Sequence, residues 1–140
     1  MRNTKPILLV EDNAVDATAI KRALKDLGAA KSLVHTTNGE EALDYLRSED
    51  NEQPCIILLD LNMPKMNGVD FLEVVKSDDV LKKIPVVVLT SSAEDYDVAE
   101  TFRLSAAGYM VKPIDYERFA DTIKAINQYW TLSELPANKG

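Results

Sequence analysis

The stretch Ile56-Ile57-Leu58-Leu59-Asp60-Leu61-Asn62-Met63-Pro64-Lys65-Met66-Asn67-Gly68 decides the fold. Four consecutive large aliphatics run straight into an aspartate. A continuous apolar run bounded by turn residues reads as a strand buried on both faces, the kind found in the middle of a parallel sheet. Asp60 then falls at the carboxyl end of a central strand, the edge where open α/β sheets place their ligands. Pro64, Asn67 and Gly68 make the following segment an exposed loop. On this stretch alone, Asp60 reads equally well as a loop cap or as a chemical group on a rigid strand tip.

The pattern recurs on both sides. Pro6-Ile7-Leu8-Leu9-Val10 is a second fully apolar strand, ending in Glu11-Asp12-Asn13, a cluster that can also cap a helix. Ile20, Ala23, Leu24 and Leu27 then form an apolar helical stripe that Gly28 stops. Ser32 to Thr36 is a short, less apolar strand, placed nearer an edge. Asn38-Gly39 turns the chain, and Ala42, Leu43 and Leu46 line one face of a short helix. Beyond Gly68, the residues Phe71, Leu72, Val74 and Val75 mark a third helix. Pro85 to Thr90 is another buried strand, and Glu94 to Leu104 reads as a helix. Tyr109-Met110-Val111 is a short strand running into Lys112-Pro113. Asp115 to Trp130 is a last helix with Phe119, Ile123, Ile126 and Trp130 on one side. Strand and helix alternate throughout. This predicts an α/β fold, a doubly wound five-stranded parallel sheet of flavodoxin-like order 2-1-3-4-5 with helices on both faces.

Bulk properties narrow the function classes. The 140 residues suit one domain, and 46% apolar residues suffice for a core. The net charge of −7 is a poor footprint for nucleic acid or an anionic membrane surface. The single cysteine, Cys55, excludes an internal disulfide and a cysteine-based metal cluster, and reads as a small core residue. No apolar run approaches the roughly 20 residues of a membrane helix, and no signal-peptide core precedes the first strand. A cytoplasmic location is the expectation.

The strand ends carry the chemistry. The first gives Glu11 and Asp12, the third Asp60, the fourth Thr90 and the fifth Lys112. In a parallel sheet these ends share one edge, so the five side chains are expected to converge. Three close carboxylates repel unless a cation compensates. Hard oxygen donors of this kind suit Mg²⁺, which takes one or two carboxylates, waters and phosphate oxygens. Mg²⁺ and Lys112 together balance the three negative charges. A phosphoryl group would meet a cation, a lysine and a hydroxyl, and an aspartate carboxylate can act as nucleophile to form an acyl phosphate.

The chain resembles the receiver domain of two-component response regulators. The resemblance rests on Ile7-Leu8-Leu9-Val10-Glu11-Asp12-Asn13, on Leu58 to Gly68, on Val88-Leu89-Thr90-Ser91 and on Val111-Lys112-Pro113, in that order, over about residues 5–130. It implies that Asp60 is the phosphoacceptor for a sensor histidine kinase. It implies a magnesium site made by Asp12, by Glu11 largely through water, by Asp60 and by the backbone carbonyl of Asn62. Thr90 would bond the phosphoryl oxygen, Lys112 would pair with the phosphoryl group, and Lys112-Pro113 would be cis. Tyr109 would be the aromatic switch that follows Thr90. Glu11 in place of the commoner aspartate is a mild departure. His35 has no acidic partner in the cluster and reads as structural.

Residues 131–140 are expected to be a tail, with no output domain. The expected role is a stand-alone regulator in a phosphorelay, signalling to a downstream protein through contact, with no binding to nucleic acid or membrane. The segment Trp130 to Pro136 resembles that of small regulators paired with bacterial phytochrome kinases, several of which dimerise, so a phytochrome-type kinase and a homodimer are further expectations. Three alternatives exist. A phosphatase of haloacid-dehalogenase type would place a second acid two residues after the nucleophile, where this chain has Asn62. A flavin module would need a phosphate loop where this chain has Glu11-Asp12. A phosphate sink or shuttle in a multistep relay would use the same site without signalling. The chain is not expected to be an enzyme beyond slow autodephosphorylation.

Overall fold

The structure, a computed structural model, describes residues 6–26, 33–60, 68–90, 108–111, 121 and 125; for 89–90 and 108–111 the description is of the backbone. Strands β1 (Ile7–Val10) and β3 (Ile56–Leu59) are buried along their whole length. Their residues are at most 2% exposed. Side chains alternate across a strand, so an unbroken aliphatic run demands cover on both faces. Helix α1 (Ala14–Asp26) covers one face, packing Ala17, Ile20, Ala23 and Leu24 with Ile7, Leu9, Ile56 and Leu58. Helices α2 (Gly39–Arg47) and α3 (Gly68–Ser77) cover the other. There Ala42, Leu43, Leu46, Phe71, Leu72 and Val75 pack with Leu8, Val10, Ile57 and Leu59. Each fully buried large aliphatic contributes about 1.5–3 kcal/mol of transfer free energy, against the entropy of ordering the chain.

All described strand pairs are parallel. β1 lies between β2 (Leu33–Thr36) and β3, and β3 pairs on its other side with β4 (Val86–Thr90). The described backbone of Gly108–Val111, labelled β5, runs parallel to β4. The parallel α/β architecture expected from the sequence is therefore present. Leu33, Val34 and His35 are only partly buried, as befits a strand with a neighbour on one side.

Local chemistry sets the element ends. Asn13 begins α1: its side-chain Oδ1 accepts the Asp16 N–H at 3.0 Å and its carbonyl the Ala17 N–H at 2.9 Å. Asn38, read from sequence as a turn residue, caps α2 by accepting the Glu41 N–H at 2.9 Å, while Glu41 Oε1 accepts the Thr37 N–H at 3.1 Å. After α3, Asp78 Oδ1 accepts the Val80 and Leu81 N–H groups at 2.9 and 3.0 Å. These bonds start a one-turn 3-10 helix, Leu81–Lys83, that tucks Leu81 and Ile84 into the α2–α3 core. No described helix is long and apolar enough to cross a membrane. Asn62, Lys112, Leu27 and most of the two expected later helices lie outside the described residues.

Candidate functional site

The tips of β1 and β3 carry the acidic residues. Val10 and Leu59 are register partners, so the residues next along the chain, Glu11 and Asp60, stand side by side on neighbouring strands. The Asp60 N–H donates to the Val10 carbonyl at 3.0 Å, extending the ladder one step and fixing the Asp60 backbone against β1. By alternation Glu11 and Asp60 follow the parity of Leu9 and Leu58, toward the α1 side.

Glu11, Asp12 and Asp60 each offer a carboxylate oxygen, and the three oxygens lie within 4.8 Å of one another. The expectation from sequence that these residues converge holds for this part of the constellation. Their burial is unequal. Glu11 is 1% exposed and Asp60 6%, whereas Asp12 is exposed. The cluster is thus a half-buried bowl with Asp12 at its open side.

Two unit charges at this separation repel by about 3 kcal/mol at an effective dielectric constant near 20. The fold offsets part of this locally. Glu11 Oε2 accepts the Asn13 N–H at 3.2 Å, and the amino end of α1, the positive end of its dipole, starts at Ala14. A hard divalent cation suits the rest. Opposite oxygens around one such ion are roughly 4–5 Å apart, close to the spread of these three. The donor set is all carboxylate oxygen, without sulfur or imidazole, which fits a hard divalent cation.

The backbone of Glu11 is held from β2. Its N–H donates to the Thr36 carbonyl at 3.0 Å. His35 Nε2 lies 2.8 Å from its carbonyl oxygen, and because a carbonyl only accepts, that nitrogen carries the proton. Thr36 Oγ1 donates to the Leu9 carbonyl at 3.1 Å beside them. Sequence reading assigns His35 a structural part but does not find this link. A side chain reaching a backbone carbonyl 24 residues away leaves no local sequence signal.

The remaining candidates are placed only in part. Thr90 ends β4, and since Leu59 pairs with Val88, its backbone lies one step beyond the level of Asp60 on the adjacent strand. Tyr109 lies in β5, paired with Val88. Lys112 comes directly after β5 and Asn62 lies two residues beyond Asp60, and both are outside the described residues. Cys55 is buried and its N–H donates to the Pro6 carbonyl at 2.8 Å, in keeping with a core residue. A separate surface groove lined by Arg47, Asp70, Glu73, Val74, Ser77 and Asp78 includes none of these candidates.

Comparison with known proteins bears on the whole sheet. The chain is 39% identical over 127 residues to the probable methanogenesis regulatory protein FilR2 of Methanothrix harundinacea, covering 89% of this chain and 82% of that one. It is 34% identical over 138 residues to the response regulator Rcp1 of Synechocystis sp., covering 95% and 94%. The crystal structure of Mn²⁺-bound Rcp1 superposes with a TM-score of 0.87, over 95% of this chain and 99% of that one, at 33% identity. The phosphorylated cyanobacterial phytochrome response regulator RcpA gives a TM-score of 0.90 at 37% identity, over 96% and 99%. The family model for the response regulator receiver domain matches residues 7–124. That match opens on the first residue of β1 and runs past the last described strand, and the chain belongs to the response regulator receiver-domain family, whose work is phosphorelay signal transduction.

Proposed function

We propose that Asp60 accepts a phosphoryl group from the phosphohistidine of a sensor histidine kinase, and that the acyl phosphate so formed changes which protein the chain contacts. The observation that carries this reading is the meeting of Glu11, Asp12 and Asp60, with carboxylate oxygens within 4.8 Å, at the tips of two wholly apolar strands. An Asp60 carboxylate oxygen forms the new P–O bond as the P–N bond to the histidine breaks, and the imidazole leaves with the bonding pair. Little covalent work falls to the protein in such a transfer; placement and charge do most of it.

In this reading Asp12, Glu11, Asp60 and the backbone carbonyl of Asn62 hold Mg²⁺. When bound, the cation draws charge from the phosphoryl oxygens and relieves the repulsion among the carboxylates. Lys112 pairs with the phosphoryl group, and the Thr90 hydroxyl donates to one of its oxygens. Tyr109 follows Thr90 between two rotamers and so carries the state of Asp60 to the surface. In the same proposal residues 5–130 form the receiver, as a doubly wound, five-stranded flavodoxin-like arrangement, and 131–140 form a tail. The kinase is proposed to be of phytochrome type, by similarity to the phytochrome response regulator RcpA, and action is proposed in the cytoplasm. A homodimer is a proposed assembly. Family membership supports reading the chain as a signalling protein rather than a turnover enzyme.

The test is intact-mass measurement after exposure to a small acyl-phosphate donor, for wild type and Asp60→Asn, with Mg²⁺ and with chelator. The expected result is one phosphoryl group per chain, dependent on Mg²⁺ and absent from the variant. Equal labelling of the variant, or rapid multiple turnover on phosphate esters, would overturn the proposal.

A further inference from the structure

We infer that His35 is a positioning residue for the cation site, acting through the backbone of Glu11. The inference rests on the proposed cation-dependent role of Glu11, Asp12 and Asp60. In a parallel ladder, a residue whose N–H donates to one neighbour accepts from the residue two further along that neighbour's strand. Glu11 donates to Thr36, so its carbonyl faces the level of Asn38. By then β2 has ended at Thr36, and Asn38 is the N-cap of α2. At this level the donor to the Glu11 carbonyl is a side chain, the His35 imidazole, at 2.8 Å. Glu11 is thereby gripped at both backbone polar groups by the edge strand, with its carboxylate tied to the Asn13 N–H at 3.2 Å.

The consequence reaches the next residue. Asp12 is the exposed member of the cluster, and the peptide that joins it to Glu11 is the one whose oxygen His35 holds. Fixing that carbonyl fixes the peptide plane and with it the direction in which Asp12 leaves the strand. Groups that orient metal ligands from outside the coordination sphere tune affinity in this way. His35 here orients a ligand-bearing backbone rather than acting as a ligand itself.

The test uses the full chain with Mn²⁺ as the titrant, followed by calorimetry, for wild type, His35→Leu and His35→Gln. Gln can present an N–H at about the position of the imidazole Nε2, whereas Leu cannot. His35→Leu is expected to weaken Mn²⁺ binding by roughly three- to ten-fold, the effect of losing one such hydrogen bond. His35→Gln is expected to stay within about two-fold of wild type. A merely structural histidine would lower the urea midpoint in both variants without separating their cation affinities. Equal affinity in wild type and His35→Leu overturns the inference while leaving the cation site standing. Absence of saturable Mn²⁺ binding in wild type overturns both. Nitrogen-15 NMR of the His35 ring supplies a readout that needs no variant. The protonated nitrogen must be Nε2, and a ring protonated at Nδ1 alone overturns the inference.

Discussion

The interior and the rim of the same two strands differ sharply. Along β1 and β3 every residue is aliphatic and at most 2% exposed. One step further, Glu11 and Asp60 are almost as buried, yet both are acids. The interior is explained by transfer of apolar surface from water. The rim runs against that rule, since burying like charges side by side costs free energy. A fold tolerates such a cluster where backbone donors and a bound cation compensate. The difference teaches that stability and chemistry are divided between successive residues of one strand, so each should be separable by substitution.

The largest expected effect is at the rim. Asp60→Asn should abolish phosphoryl uptake altogether, while its denaturant midpoint in chelator should equal or exceed that of wild type, because one of two neighbouring buried charges is gone. A variant that unfolds at lower urea in chelator would mean Asp60 is an ordinary stabilising polar residue, and the contrast would collapse.

Next in size is the interior. Phe71 is fully buried against the α2–α3 side of the sheet, so Phe71→Ala should cost about 3–5 kcal/mol. The folded fraction should still gain stability on adding Mg²⁺, as is expected for wild type, by about 2.7 kcal/mol at a hundred times the dissociation constant. Loss of that gain would show that rim and interior are not independent. Asn13→Ala sits between the two regions. It removes the α1 cap, costing about 1 kcal/mol by urea melt, and leaves the Asn13 N–H on Glu11 in place, so Mn²⁺ affinity should change little.

How legible is this in the sequence? The strands with two covered faces are legible, because an unbroken aliphatic run between turn residues has few other readings. The partly buried β2 is legible from its weaker apolar character. The carboxylate cluster is legible from the residue types at the carboxyl end of each strand. The burial of its members is not. Asp12 is exposed while Glu11 is enclosed, and adjacent positions on a strand tip differ in facing, which composition does not encode. The His35–Glu11 and Thr36–Leu9 bonds are invisible because they join residues distant in sequence. The 3-10 turn at Leu81–Lys83 escapes because one turn is too short to show a period.

The smallest expected effect concerns a carboxylate outside the rim. The backbone N–H groups of Leu81 and Val80 hold the Asp78 carboxyl below its usual range. Its folded value is depressed, so its contribution is complete above the ordinary carboxylate range and is lost as pH falls through the lowered value. Asp78→Asn should therefore differ most from wild type near neutral pH and converge with it in acid, as read from urea midpoints. A difference constant with pH would assign the stabilisation to hydrogen-bond geometry alone.

The central claim is that the acids at the tips of β1 and β3 form one cation site. Its most direct test is calorimetric titration of Mn²⁺ into wild type, Asp12→Asn and Asp60→Asn. We predict one equivalent per chain in wild type and binding weakened at least about ten-fold in each variant. Unchanged binding in both variants, or no saturable binding in wild type, would contradict it.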